Sequence, residues 1–220
     1  MRFATVLCAL VVELVAASTS LSTSASAQGS APAAPARRPL EGLASQTILV
    51  LPAQYVTFAD SLGWSQEITS IRDYLQSVDD ELTFAFRDHG LAPKWIFADA
   101  ITKSAQRNVG YVSDPHALDA AQVRIGSKPD LFQLREPLAS QLRSLIALND
   151  ARYVLIPVEI HFTSAHEAGR ITLHAVVIDA RRSQIQWMGD ITSVPTPHIT
   201  PVLAADVASK LADLIAPPTN

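Results

Sequence analysis

Three consecutive extended segments followed by one helical segment occupy residues 151–216, and this order restricts the fold more than any other feature of the chain. The segment from Arg152 to Phe162 begins as a continuous apolar run and becomes alternating, as in a strand that is covered on both faces at one end. The polar turn HFTSAHEAGR predicts that the strand from Ile171 to Asp179 returns antiparallel. A second turn, DARRSQ, leads into QIQWMGDITS, and Thr200 and Pro201 are placed to begin the final helix.

The preceding part of the chain adds strands and helices in alternation. Thr47 to Gln54 (TILVLPAQ) is a continuous apolar run, typical of a strand covered on both faces. Ser65 to His89 has apolar residues at helical spacing, Lys94 to Phe97 (KWIF) is a short strand, and a helix from Pro137 ends at Asn149. The complete order predicts an α/β fold with three layers, in which helices flank a mixed central sheet of about five strands.

The amino-terminal residues 1–27 have the pattern of a cleavable export signal. Arg2 gives a positive start, Phe3 to Ala17 is an apolar run, and Ala25-Ser26-Ala27 is a site for signal peptidase. Glu13 interrupts the run, and no later run approaches the roughly 20 apolar residues that a membrane span requires. We therefore expect the mature protein in the periplasm or outside the cell, with no membrane span.

The single cysteine, Cys8, lies inside the predicted signal. It comes too early to be the lipid-bearing cysteine of a bacterial lipoprotein, so we expect no lipid anchor. Cleavage after Ala27 would also leave no thiol for disulfides, metal binding or nucleophilic attack. The formal net charge of −4 disfavours nucleic acid as a partner, since proteins that bind it usually carry a basic field.

Residues 28–44 (QGSAPAAPARRPLEGLA) are rich in alanine and proline and are predicted to form a flexible tether. Residues 45–220 are long enough to form a single α/β domain with a substantial core.

Five stretches carry a resemblance to a known family: ILVLPA, the end of the long helix in DHGL, NDARYVLIPVEI, VVIDARRSQIQWMGDI and VLAADVASKLADLI. In this order they resemble the periplasmic α/β modules of the CsgG-like family, typified by the curli secretion-channel lipoprotein. Relatives of that family include the amino-terminal domain of the propeller protein TolB and the lipoproteins that activate penicillin-binding proteins. The likeness extends over most of residues 45–216.

The resemblance implies a non-catalytic binding or assembly module of the cell envelope, whose partner is another envelope protein. The chain departs from the family in two respects. It lacks the lipidation cysteine, and it has no pair of long amphipathic hairpins in place of the middle helices. Anchoring in the outer membrane and pore formation are therefore not expected.

The loop YVTFADSLGW, which follows the first predicted strand, contains more apolar surface than a connection requires. Its large apolar residues are Tyr55, Phe58, Leu62 and Trp64. One interpretation is that they fold back onto the domain. The other is that they form a contact surface for a partner, because α/β sheets often place binding sites after a strand.

A metal site is an alternative interpretation of the hairpin. His161, His166, Glu167 and His174 surround its predicted turn, and His174 would lie opposite His161 or Glu159. Such a site would make the protein a metal binder or a metal-dependent hydrolase. No G-x-S-x-G motif and no phosphate-binding glycine loop occurs in the chain, so the sequence predicts neither an enzyme nor a cofactor.

Overall fold

The computed structural model describes residues 38–59, 62–165 and 167–219. The predicted signal (1–27) and residues 28–37 of the predicted tether lie outside the described residues. None of the described helices combines the length and the apolarity that crossing a membrane would need.

The described residues form one mixed sheet of six strands. The strands are β1 (Ile48–Val50), β2 (Tyr55–Ala59), β3 (Trp95–Ile96), β4 (Tyr153–Ala165), β5 (Ala168–Asp179) and β6 (Gln184–Thr192). Their order is β3-β1-β4-β5-β6, and β2 pairs with β4 beyond the end of β1. The first three strands run parallel to their neighbours, whereas β4, β5 and β6 form the predicted antiparallel meander. The additional strand is β2, which the sequence analysis treated as part of a loop.

Helices cover both faces of the sheet. They are α1 (Trp64–Glu67), α2 (Ile71–Asp88), α3 (Ala98–Arg107), α4 (Leu138–Leu148) and α5 (Pro201–Asp213). Ile48 and Val50 of β1 belong to the same apolar cluster as α2 and α5, while Leu49 belongs to the cluster of α3 and α4. The continuous apolar run around β1 is therefore buried on alternating sides, and the predicted three-layer α/β fold is confirmed.

The helix predicted from Ser65 to His89 is interrupted. The short α1 ends at Ile68, which is extended (φ −86°, ψ 98°), and α2 begins after Ser70. The Ser70 hydroxyl accepts the N–H of Asp73 at 3.2 Å, which is the usual N-cap interaction. Apolar spacing continues through Ile68, so the periodicity alone could not reveal this second start.

Part of the segment that was predicted to be a tether packs onto the domain. Leu40 is buried in the core beside α5, and its N–H donates to the carbonyl of Leu214 at 3.0 Å. The next residues, Glu41–Leu43, form one 3-10 turn.

A buried carboxylate connects α2 to the chain after β1. Asp79 is 4% exposed, and its Oδ1 accepts the N–H of Ala53 at 2.8 Å. Burial raises the pKa of Asp79 to about 7, and the nearby charges of Asp80 and Asp99 act in the same direction, while the bond from Ala53 opposes them. The Asp79 side chain is consequently near its midpoint of ionisation at neutral pH.

This raised pKa predicts that the folded protein loses stability as the pH rises. Between its usual pKa of 3.8 and about 7, the Asp79 carboxyl is protonated in the folded state but ionised in the unfolded state. The free energy of unfolding therefore has its full value at low pH and falls as the pH rises through about 7. Asp79→Asn keeps an oxygen acceptor for Ala53 but cannot ionise. At pH 8 we expect it to be more stable than the wild type by a few kcal/mol, since one pKa unit corresponds to about 1.4 kcal/mol.

The measurement is thermal and urea unfolding followed by circular dichroism between pH 4 and pH 9. Asp88→Asn, at an exposed position at the end of the same helix, is the control and should unfold in parallel with the wild type. Parallel stability curves for the wild type and Asp79→Asn would contradict the prediction.

Candidate functional site

The four aromatic and apolar residues predicted as a contact surface lie on two sides of the sheet. Phe58 stacks on Phe162 with ring centroids 5.0 Å apart, and Trp64, only 1% exposed, meets the same ring edge-on at 6.1 Å. Leu62 packs against this cluster on the α2 and α5 side. Tyr55 packs against the cluster on the opposite side. Trp64 is buried and the other three side chains are half-buried. Because Tyr55 lies on the opposite side from the other three, the four side chains do not form one continuous surface.

The close fit of Trp64 to the β5 backbone explains this arrangement. A Cβ on residue 169 would lie 2.6 Å from the Trp64 ring, so Gly169 is required where the indole crosses the strand. The apolar excess of the loop therefore covers the α2 and α5 side of the β4–β5 hairpin.

The other side of this hairpin carries two rows of mostly polar side chains. Residues directly opposite one another on neighbouring strands point to the same face, and the pairing aligns four strands here. One row is Tyr55, Glu159, His174 and Asp190, and the other is Thr57, His161, Thr172 and Thr192. We call these eight residues the polar sheet face. It begins where the apolar residues beneath α3 and α4 end, after Val158 of β4.

Among the residues of the polar sheet face, Glu159 accepts the most hydrogen bonds. It is 4% exposed, and Arg124 donates to both of its oxygens, from Nε to Oε2 at 3.0 Å and from Nη2 to Oε1 at 2.9 Å. The Thr57 hydroxyl donates at 2.8 Å and the Ile125 N–H at 3.3 Å. Burial alone would raise the pKa of Glu159, but these donors outweigh it and lower the pKa. Glu159 is therefore ionised and paired at neutral pH.

The two histidines of the polar sheet face each contact a different partner. His161 Nδ1 lies 2.7 Å from Thr57 Oγ1. Because the Thr57 hydroxyl donates its hydrogen bond to Glu159, Thr57 Oγ1 accepts from the Nδ1–H of His161. His174, 6% exposed, bonds through Nδ1 to the exposed carboxylate of Asp190. Its Nε2 is buried, and no described residue bonds to it.

The predicted metal ligands are only partly brought together. His174 lies opposite Glu159, which was one of the two expected pairings, and His161 lies in the next row. Glu167 is exposed at the turn, and His166 lies outside the described residues. In the part of the chain that the structure describes, no three His, Cys, Asp or Glu side chains form a group that could hold a metal ion.

Arg124 and Thr57 are site residues that the sequence analysis missed. Arg124 belongs to a segment with no clear periodicity, and Thr57 was read as part of a loop. A usable signal was the acid in the otherwise apolar run VLIPVEI, because a buried carboxylate needs a cation or several donors. That signal predicts that Glu159 has a partner, although it does not say which residue.

Comparison with known proteins finds distant structural matches only. No protein-family model matches the chain, and no curated protein does. A PelC dodecamer from Paraburkholderia phytofirmans matches at 12% identity over 78% of this chain and 90% of that chain, with a TM-score of 0.38. The LpoB C-terminal domain from Salmonella enterica matches at 12% identity over 70% and 86%, with a TM-score of 0.31. Lipoprotein GNA1162 from Neisseria meningitidis matches at 18% identity over 66% and 77%, with a TM-score of 0.31. Values this low carry no argument about function, and these matches do not confirm the CsgG-like or TolB-like label.

The ion pair in the polar sheet face predicts a specific pattern of stability losses. Arg124→Met would leave Glu159 buried without its cation. Removing one partner of a fully buried pair costs roughly 3–5 kcal/mol. Because the Arg124 side chain is 35% exposed, we expect a smaller loss, on the order of 2 kcal/mol. Adding Glu159→Gln to this variant should recover part of the loss, since it removes the unpaired charge.

Urea unfolding of the two single variants and the double variant measures this coupling. Arg143→Met is the matched control, because it breaks an ion pair with Glu136 in which both side chains are exposed, and it should change little. Additive losses in the double variant would refute the proposed coupling.

Proposed function

We propose that the protein is an exported, non-catalytic binding module of the bacterial cell envelope, and that its partner is another protein. The predicted export signal supports the location, in the periplasm or outside the cell. The observation that carries the proposal is the order of the polar sheet face, whose side chains are held by hydrogen bonds between β2 and β4 and between β5 and β6.

Such order favours binding because little side-chain freedom remains to be lost when a partner docks. Thr172 and Thr192 bond to each other at 3.1 Å, and both are half-buried. Their hydroxyls, together with half-buried His161 and exposed Asp190, present donors and acceptors on a rigid sheet. Hydrogen-bonding groups on a fixed scaffold suit the polar side chains and main chain of a protein.

The electrostatics of Glu159 support binding rather than acid–base chemistry. A catalytic acid or base works best with a pKa near the operating pH. The pKa of Glu159 is instead lowered, and both of its oxygens are occupied by Arg124 and Thr57. Glu159 instead holds the side chains of Arg124 and Thr57 in place.

Photo-crosslinking in intact cells tests the proposal. A photoreactive amino acid at Thr172 would sit in the polar sheet face, and the same group at Val202 would be exposed on α5, on the opposite side of the sheet. We expect a discrete protein adduct from position 172 and none from position 202. The protein identified in this way should then bind the purified domain.

Binding of that protein should weaken at least tenfold in the Thr172→Lys, Thr192→Lys double variant, because the two charges would be placed against the docked surface. Circular dichroism checks that this variant remains folded. Equal adducts from both positions, or unchanged binding by the double variant, would refute the role of the polar sheet face.

The metal interpretation makes a different prediction, and the observation in its favour is that His161 and His174 share one face. It requires tight one-to-one zinc binding that is lost in His161→Ala and His174→Ala. We expect no such binding by calorimetric titration of the mature domain, because among the described residues no third His, Cys, Asp or Glu side chain joins these two histidines in a group that could hold a metal ion. Stoichiometric zinc binding that depends on both histidines would replace the present proposal.

A further inference from the structure

A groove of about 790 Å³ runs along the outer edge of β3, far from the polar sheet face. One side is formed by α2 and the other by α3, and the residues of β3 lie between them. Each helix contributes one stripe at helical spacing. Residues 80, 84 and 87 come from α2, and residues 99, 103 and 107 come from α3.

The two helices place their acidic residues at the same end of the groove. Because α3 begins directly after β3, Asp99 lies at the carboxyl end of the strand, and Lys103 and Arg107 follow towards its amino end. On α2, which runs towards the start of β3, Asp80 precedes Phe84. The guanidinium of Arg87 lies over the Phe97 ring, 5.5 Å from its centroid, and so beside the residue that follows β3. The groove is therefore acidic at one end and basic at the other, with an apolar middle.

Several groups in this groove lack partners. Within the described part of the chain, β3 pairs with β1 alone, so no strand covers its outer edge, where the Trp95 N–H already donates to the Leu91 carbonyl at 3.2 Å. The indole N–H of Trp95 is buried, and no described residue accepts its hydrogen bond. Phe84 is 69% exposed at the rim. The indole lines the groove, and the main-chain groups of an uncovered strand edge are available to pair with a docked strand.

The shape of the groove favours a single extended chain as its occupant over a second copy of the protein. The edge of β3 is recessed between α2 and α3, so the equally recessed edge of a second copy cannot reach it. A single extended chain is narrow enough, since paired strands lie about 4.8 Å apart. Addition of one strand to an exposed sheet edge is a common mode of peptide recognition.

The acidic end offers room for a long basic side chain. It continues into a cavity of about 560 Å³, whose lining includes Asp73, Asp79, Asp99 and Asp114 together with Arg72 and His116. At the other end, Lys103 and Arg107 suit an acidic group.

We infer that this groove binds an extended segment of a partner protein, which pairs with β3 and carries a basic residue at one end and an acidic residue at the other. The inference rests on the proposed function, a protein-binding module, and adds a second contact with its own specificity.

Two blocked pentapeptides of reversed charge order test the inference: acetyl-Lys-Val-Thr-Val-Glu-amide and acetyl-Glu-Val-Thr-Val-Lys-amide. Each is titrated into the uniformly nitrogen-15-labelled mature protein and followed by NMR. We expect one order to bind at least fivefold more tightly than the other. It should shift the Phe97 amide and the Trp95 indole resonances, the latter assigned with Trp95→Phe.

The variant Lys103→Glu, Arg107→Glu should weaken binding of the preferred peptide at least fivefold. Lys128→Glu, an exposed change outside the groove, is the matched control and should have no effect. Equal affinity for both orders, no binding of either peptide, or shifts confined to other residues would overturn the inference.

The outcomes separate this inference from the proposed function. A crosslinked partner at position 172 without peptide binding would refute the groove alone. Binding of one peptide order without any adduct at position 172 would support the groove and refute the role of the polar sheet face.

Discussion

The structure depends on β4, which forms backbone hydrogen bonds along both edges and carries side chains into both layers of helices. The strand changes character at one irregularity. Between Pro157 and Glu159 its register with β5 shifts, and Val158 is the extra residue. Before the shift, Leu155 faces α2 and α5; after it, Ile160 and Phe162 face that side. Because side chains alternate along a strand, the extra residue turns Glu159 away from this core and towards Arg124.

This bulge is one of the features that could not be predicted from the sequence. The three layers, the antiparallel meander and the start of α5 at Pro201 follow from local patterns, namely apolar periodicity, turn residues and caps. The second start of α2 at Ser70 was missed because the apolar spacing continues through it. The strand β2 was missed because Tyr55 and Phe58 pack on opposite sides, which resembles an irregular apolar loop. The pairing of Arg124 with Glu159 depends on contacts between segments distant in sequence, and no local pattern encodes those.

The apolar and the polar candidate residues lie in different environments for a physical reason. Large apolar side chains such as Trp64 gain most by being buried, and Gly169 offered a surface close enough to receive the indole. The polar side chains on the other face could not be buried without partners, so they form hydrogen bonds with one another. Glu159 and Thr57 are ordered in this way on a face that the helices leave uncovered. Both proposed contacts, the polar sheet face and the β3 groove, lie where the sheet is not fully covered by its helices.

The bond from Leu40 to Leu214 has a mechanical consequence. It joins a residue of the predicted tether to the residue that follows α5, and α5 packs against α2 and the sheet. Tension applied to the chain ahead of Leu40 would therefore reach the end of α5 first. The strands of the meander lie deeper along the path of the force, so the binding faces would keep their shape after this outer attachment had yielded.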